Sequence, residues 1–106
     1  MALIKIDIDK PYDDYPDWDE FNKRICFIRK ILRINFKSTL NFRSKGGNIH
    51  VVIETGENLN DLEICCIQAI LGSDWMRETY NLRRIRRGQR NWNILFEHEK
   101  MNIMEE

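Results

Sequence analysis

The sequence has little of what crosslinks, anchors or loosens a chain. It holds three cysteines, Cys26 and the adjacent pair Cys65 and Cys66. An odd number with that spacing builds no closed disulfide framework, so reduced thiols in an intracellular, cytoplasmic setting are expected. No apolar run approaches the ~18 residues that span a bilayer, and Met1-Ala2-Leu3-Ile4-Lys5 lacks the basic start and apolar stretch of a signal peptide. No membrane partner is expected. Two prolines and five glycines in 106 residues leave no linker-like or low-complexity stretch. What remains, 42% hydrophobic and 32% charged residues, is enough for one core and too short for two. The expectation is a single domain over residues 1–100 followed by a frayed tail, 101–106.

Net charge of one sign is also missing, with 17 Lys+Arg against 17 Asp+Glu, yet the zero conceals separated blocks. Lys5 to Glu20 is acidic. Lys23, Arg24, Arg29, Lys30, Arg33, Lys37, Arg43 and Lys45 follow with no acid among them. A second basic block, Arg77, Arg83, Arg84, Arg86, Arg87 and Arg90, contains only Glu78 against it. A charge run is ordinarily a solvated helix face. Two such blocks in a neutral protein also make local phosphate-attracting surfaces, so a polyanion, DNA or RNA, is the expected partner.

Hydrophobic spacing supplies the elements. Ala2 to Asp9 alternates, with Ile4, Ile6 and Ile8 on one face, and reads as a half-buried strand. Lys10 to Pro16 reads as a loop. Asp17 with Glu20 can form a capping box for a helix whose inner face is Trp18, Phe21, Ile25, Ile28 and Ile31 or Leu32. Phe36 to Arg43 and Asn48 to Glu54 read as strands joined at Ser44-Lys45-Gly46-Gly47 into a hairpin. Asn60 with Glu63 caps a helix ending near Gly72. Ser73 or Asp74 caps another, carrying Trp75, Met76, Tyr80, Leu82 and Ile85 to Gly88. Trp92 to His98 reads as a last strand. The order predicts an α+β, ferredoxin-like (RRM-like) βαββαβ sandwich, an antiparallel four-stranded sheet with its helices on one face.

In that arrangement Asp7 and Asp9, His50 and Glu97 share the open face of the sheet. Solvated charges on a helix-free face are ordinary. Three acids and an imidazole on neighbouring strands are also the composition of a site for Mg²⁺ or Mn²⁺ and phosphate.

The same residues resemble a family. Leu3-Ile4-Lys5-Ile6-Asp7-Ile8-Asp9 is similar to the first motif of the archaeo-eukaryotic primase superfamily, a strand ending in acid, any residue, acid. Ser44 to Val51 resembles its second, a small-residue turn leading to a histidine, and Ile94-Leu95-Phe96-Glu97 its third. The resemblance implies an RRM-like catalytic core in reduced form. Asp7, Asp9 and Glu97 would be catalytic metal ligands for Mg or Mn, and His50, with Ser44 and Lys45, would bind a nucleotide's phosphates. Leu71-Gly72-Ser73-Asp74 with Arg77, and Trp92-Asn93-Ile94-Leu95-Phe96, resemble small uncharacterised proteins of archaeal viruses and plasmids.

Three functions follow as expectations. One is a minimal metal-dependent enzyme on nucleic acid, and whether the chain is an enzyme is left open. The second is a nucleic-acid- or nucleotide-binding protein serving replication of a mobile element or virus, gripping phosphate through Arg77, Arg83, Arg84, Arg86, Arg87 and Arg90. The third is a structural or dimerising module, a homodimer joined through the edge strand that carries Phe36, Leu40 and Phe42 on one face, or through the exposed face of the sheet. Trp18, Trp75 and Trp92 are expected as core anchors, Cys65 and Cys66 as packing residues, and His98 as exposed.

Overall fold

The computed structural model describes residues 2–11, 18–44 and 46–95. Three strands, β1 (Ala2–Pro11), β2 (Phe36–Arg43) and β3 (Asn48–Thr55), form an antiparallel sheet in the order β1-β3-β2. Three helices, α1 (Trp18–Leu32), α2 (Asp61–Ile70) and α3 (Trp75–Arg86), complete the fold. The four-stranded ferredoxin-like sandwich is therefore corrected to a three-stranded sheet: residues 92–95 carry no strand, and what takes the vacant place beside β1 is described below. The remainder of the expected last strand, with Glu97 and His98, lies outside the described residues, as do Asp17, Lys45 and the tail 101–106.

Alternation builds the core. Ile4, Ile6 and Ile8 of β1 and Ile49, Val51 and Ile53 of β3 point to one face, each at 3% exposure or less, where Phe21 and Ile28 of α1 and Ile64, Cys65 and Ile67 of α2 cover them. Burying each such side chain contributes roughly 1.5–3 kcal/mol. Trp92 closes the cluster, whereas Ile31 and Leu32 of α1 remain exposed. The first strand runs past Asp9 through Pro11, with a register shift after Ile8, so the loop begins later than the prolines suggest. A second shift, between Phe36 and Ser38, turns Phe36 toward the core while Leu40 and Phe42 stay on the opposite face beside Val52 and His50. The apolar side chains expected to share one face of β2 are thus divided.

The punctuation of the chain is local chemistry. Asn60 caps α2 by accepting from the Glu63 amide at 2.8 Å while the Glu63 carboxylate accepts from the Asn60 amide at 2.9 Å, a complete capping box. In the hairpin the Ser44 amide donates to the Asn48 carbonyl and the Gly47 amide to that of Ser44, with Gly47 at φ 91°. α1 ends on Arg33 at φ 56°, a left-handed position where glycine is the usual occupant.

Candidate nucleic-acid interface

α3 is turned opposite to its hydrophobic pattern. Arg77, Glu78 and Asn81 face inward at 4% exposure or less, while Trp75 is 73% exposed and Met76, Tyr80 and Leu82 are exposed as well. Trp75 is therefore not the core anchor expected of it; Trp92 is, and Trp18 is half-buried. Sequence reading placed Trp75 in the core, and periodicity ordinarily turns the apolar residues of a helix inward. The reason it fails is that α3 packs against a strand edge, whose exposed backbone groups need polar partners.

The inward face supplies them. Along the outer edge of β1, the Lys5 amide donates to Gln68 Oε1 at 2.8 Å and the Asp7 amide to Ser73 Oγ at 3.0 Å. The Lys5 carbonyl accepts from Arg77 Nη1 at 2.9 Å, the Asp7 carbonyl from the Asp74 amide at 2.6 Å, and the Leu3 carbonyl from Asn93 Nδ2 at 3.3 Å. Successive outward groups of β1 are thus paired by side chains and a helix-capping amide where a fourth strand would have used its backbone. An edge closed this way cannot recruit a foreign strand.

Glu78 holds the set together. One carboxylate oxygen accepts from Gln68 Nε2 at 2.8 Å and Asn81 Nδ2 at 3.0 Å, with the Cys65 thiol at 3.4 Å. The other accepts from Ser73 Oγ at 2.6 Å and from Arg77, its ion-pair partner. Arg77 also donates through Nε to the Ile94 carbonyl at 3.1 Å and through Nη2 to Asn93 Oδ1 at 3.0 Å, which fixes the segment after α3. A buried pair satisfied on all sides is tolerable, whereas either member alone is not. Burial pulls the Arg77 pKa down and the Glu78 carboxylate opposes it, and the guanidinium stays charged. Lys5 is lowered by burial and then by repulsion from Arg77. Burial first, then the negative charge of Glu78, pushes the Cys65 thiol up to about 12, making it a packing residue and a weak donor.

With its one acid folded inward, α3 presents Trp75, Met76, Thr79, Tyr80, Leu82, Arg83 and Arg86 to solvent, and Arg87 and Arg90 continue the exposed basic surface. Arg84 is half-buried and donates to Asn81 Oδ1 at 3.1 Å. Of the arginines proposed for phosphate contact, Arg77 thus lies inside the protein and spends its donors there.

The residues proposed for a metal or nucleotide spread across the three strands, with Asp7 next to the N-terminal end of α3. Asp7, His50 and Phe42 sit opposite one another across β1, β3 and β2. The His50 ring meets the Phe42 ring edge-on at 5.5 Å, and its Nε2 stands 3.5 Å from Asp7 Oδ1. Although it occupies the face without α1 and α2, His50 is 1% exposed and neither ring nitrogen makes a hydrogen bond. Asp9 is exposed and accepts from Asn48 Nδ2 at 3.1 Å. Ser44 is buried and its hydroxyl accepts from the Asn48 amide, so it serves the turn. Among the described residues no group of three or more His, Cys, Asp or Glu is arranged to hold a metal ion, and no helix is long and apolar enough to cross a membrane.

Comparison with known proteins finds a relative. A curated relative is the uncharacterised protein ORF144 of Acidianus filamentous virus 1 (isolate United States/Yellowstone), 28% identical over 107 residues that cover 92% of this chain and 71% of the relative. The chain is similar to an archaeal-virus protein. That accords with the resemblance carried by Leu71 to Arg77 and Trp92 to Phe96, while the resemblance to the primase superfamily gains no support. No family model matches the chain, and no solved structure matches it.

Proposed function

We propose that the protein binds nucleic acid through the outward face of α3, in the replication of a virus or mobile element. The observation that carries this reading is the inversion of α3. Its single acid is buried against Arg77, leaving Arg83, Arg86, Arg87 and Arg90 on an exposed surface with Trp75 and Tyr80. Arginines neutralise phosphates, and exposed aromatic rings supply stacking platforms for unpaired bases. A rigid helix held from behind by a polar network can present both without reorganising on binding. The viral source of the relative is consistent with such a role.

The test is fluorescence anisotropy with single- and double-stranded oligonucleotides at several salt concentrations. The Arg83→Ala, Arg86→Ala, Arg87→Ala triple variant should weaken binding and lower the magnitude of the salt slope by about 3 on duplex DNA, roughly one for each phosphate no longer neutralised. These side chains are exposed, so thermal unfolding should be unchanged. Identical binding by the triple variant would remove this reading.

A second reading rests on the buried, unpartnered imidazole of His50 beside Asp7. There the chain is a reduced, metal-dependent relative of primases, with His50 on a nucleotide phosphate and Mg or Mn on Asp7, Asp9 and Glu97. Mn²⁺-dependent nucleotide binding that disappears in Asp7→Ala, with the arginine variant unaffected, would favour it. Absence of such binding would eliminate it.

A further inference from the structure

We infer that the nucleic acid taken by α3 is unpaired: a single strand lies on its outward face, with bases stacked on Trp75 and Tyr80 and phosphates held by Arg83, Arg86 and Arg87. This rests on the nucleic-acid reading of α3 and narrows it to one class of substrate.

The outward face divides by chemistry along its length. A helix turns about 100° per residue, which sets Trp75, Met76, Tyr80, Arg83 and Arg86 on the side away from the buried Arg77, Glu78 and Asn81. The N-terminal half offers Trp75 at 73%, Tyr80 at 53% and Met76 at 49% exposure, and no cation of α3 points outward there. Asp74, half-buried, caps this end by accepting from the Arg77 amide and adds a negative charge to it. The C-terminal half carries Arg83 and Arg86, with Arg87 following at the cap, all three exposed. The one acid within α3, Glu78, is buried and does not oppose them. Tryptophan is highly buried on average, so a ring held this far into water beside a second aromatic suits a ligand with flat apolar faces.

A duplex fits this division poorly. A helix in its major groove runs between two phosphate walls, and the paired bases present their edges while their flat faces stack on one another. The half of α3 from Trp75 to Tyr80 would then bring two rings and the charge of Asp74 against phosphate. A single strand turns its bases freely, and every base has a flat face that stacks on an aromatic ring whatever its identity. Its bases lie over the half without outward cations, and its backbone reaches the arginines within the next two turns of the helix.

The test titrates the full chain with one labelled DNA oligonucleotide, first single-stranded and then annealed to its complement. The wild type is expected to bind the single strand more tightly. Trp75→Ala should weaken single-strand binding roughly fivefold to a hundredfold with an unchanged salt slope, and Trp75→Phe, which keeps a ring, should recover most of the loss. Duplex binding should barely respond to either. Tryptophan emission should fall when the single strand binds the wild type and not when it binds Trp75→Phe, because Trp92 is buried and Trp18 half-buried. The side chain of Trp75 is exposed, so thermal unfolding should be unchanged. Duplex binding tighter than single-strand binding, or single-strand binding indifferent to Trp75→Ala while the triple arginine variant weakens it, would overturn the inference and leave the reading of α3 standing. Binding of neither form, or binding indifferent to the triple arginine variant, would remove both.

Discussion

The sheet has two edges, and they are treated in opposite ways. β1 buries every second residue from Ala2 to Ile8, and the backbone groups of Leu3, Lys5 and Asp7 are paired outward to Gln68, Ser73, Asp74, Arg77 and Asn93. β2 is exposed at six of its eight positions, with only Phe36 and Phe42 half-buried. The difference shows how a small domain dispenses with a fourth strand. Side chains from α2, α3 and the segment after α3 satisfy the edge. The cost is a buried ion pair, and the return is a helix whose outer surface is free for other work.

The largest effects should therefore come from the pair behind that edge. Glu78→Ala leaves Arg77 as an uncompensated buried cation and should destabilise by about 3–5 kcal/mol, a large share of what a domain of this size possesses. Urea denaturation should show a matching fall in midpoint. Arg77→Ala should approach the same loss, and the double variant should lose far less than the sum, because the second removal relieves the first. Next in size is Gln68→Leu, which strands the Lys5 amide and costs roughly 1–3 kcal/mol. On β2 the comparison predicts little: Thr39→Ala, on an exposed position, should stay within about 0.5 kcal/mol.

A smaller effect appears in alkali. The ordinary thiol value is 9.0 and folding pushes Cys65 up to about 12, so between these pH values the unfolded chain has released a proton that the folded chain keeps. Stability should fall as pH rises through that window, and the contribution is absent below it. Lys5, lowered on folding, acts in the opposite sense, so the difference in slope between wild type and Cys65→Ala isolates the thiol. Equal slopes would contradict the burial of Cys65 beside Glu78.

Much of this fold was legible in the sequence where residues act locally. The alternation of Ile4, Ile6 and Ile8, the Asn60–Glu63 capping box and the positive-φ stops at Gly72 and Gly88 depend on neighbours a few residues away. The sheet's fourth member was not legible, because Trp92 and Ile94 alternate as a strand would while Asn93 and the Ile94 carbonyl are bonded by Arg77 and Gln68 from distant elements. α3 misled for the same reason: Arg77, Glu78 and Asn81 form an inward stripe only beside an edge that needs donors and acceptors. The buried His50 was placed on its strand correctly but expected on a solvated face. The basic character of residues 83–90 was visible throughout, though Arg77 was grouped with it.

The closure of β1 by side chains is tested most directly by amide hydrogen exchange in Ser73→Ala against wild type. The account predicts that the Asp7 amide, bonded to Ser73 Oγ, loses protection selectively while Ile4 and Ile6, which are registered with Ile53 and Val51 of β3, keep theirs. Unchanged protection at Asp7 would mean that another strand pairs with this edge, and would contradict the account.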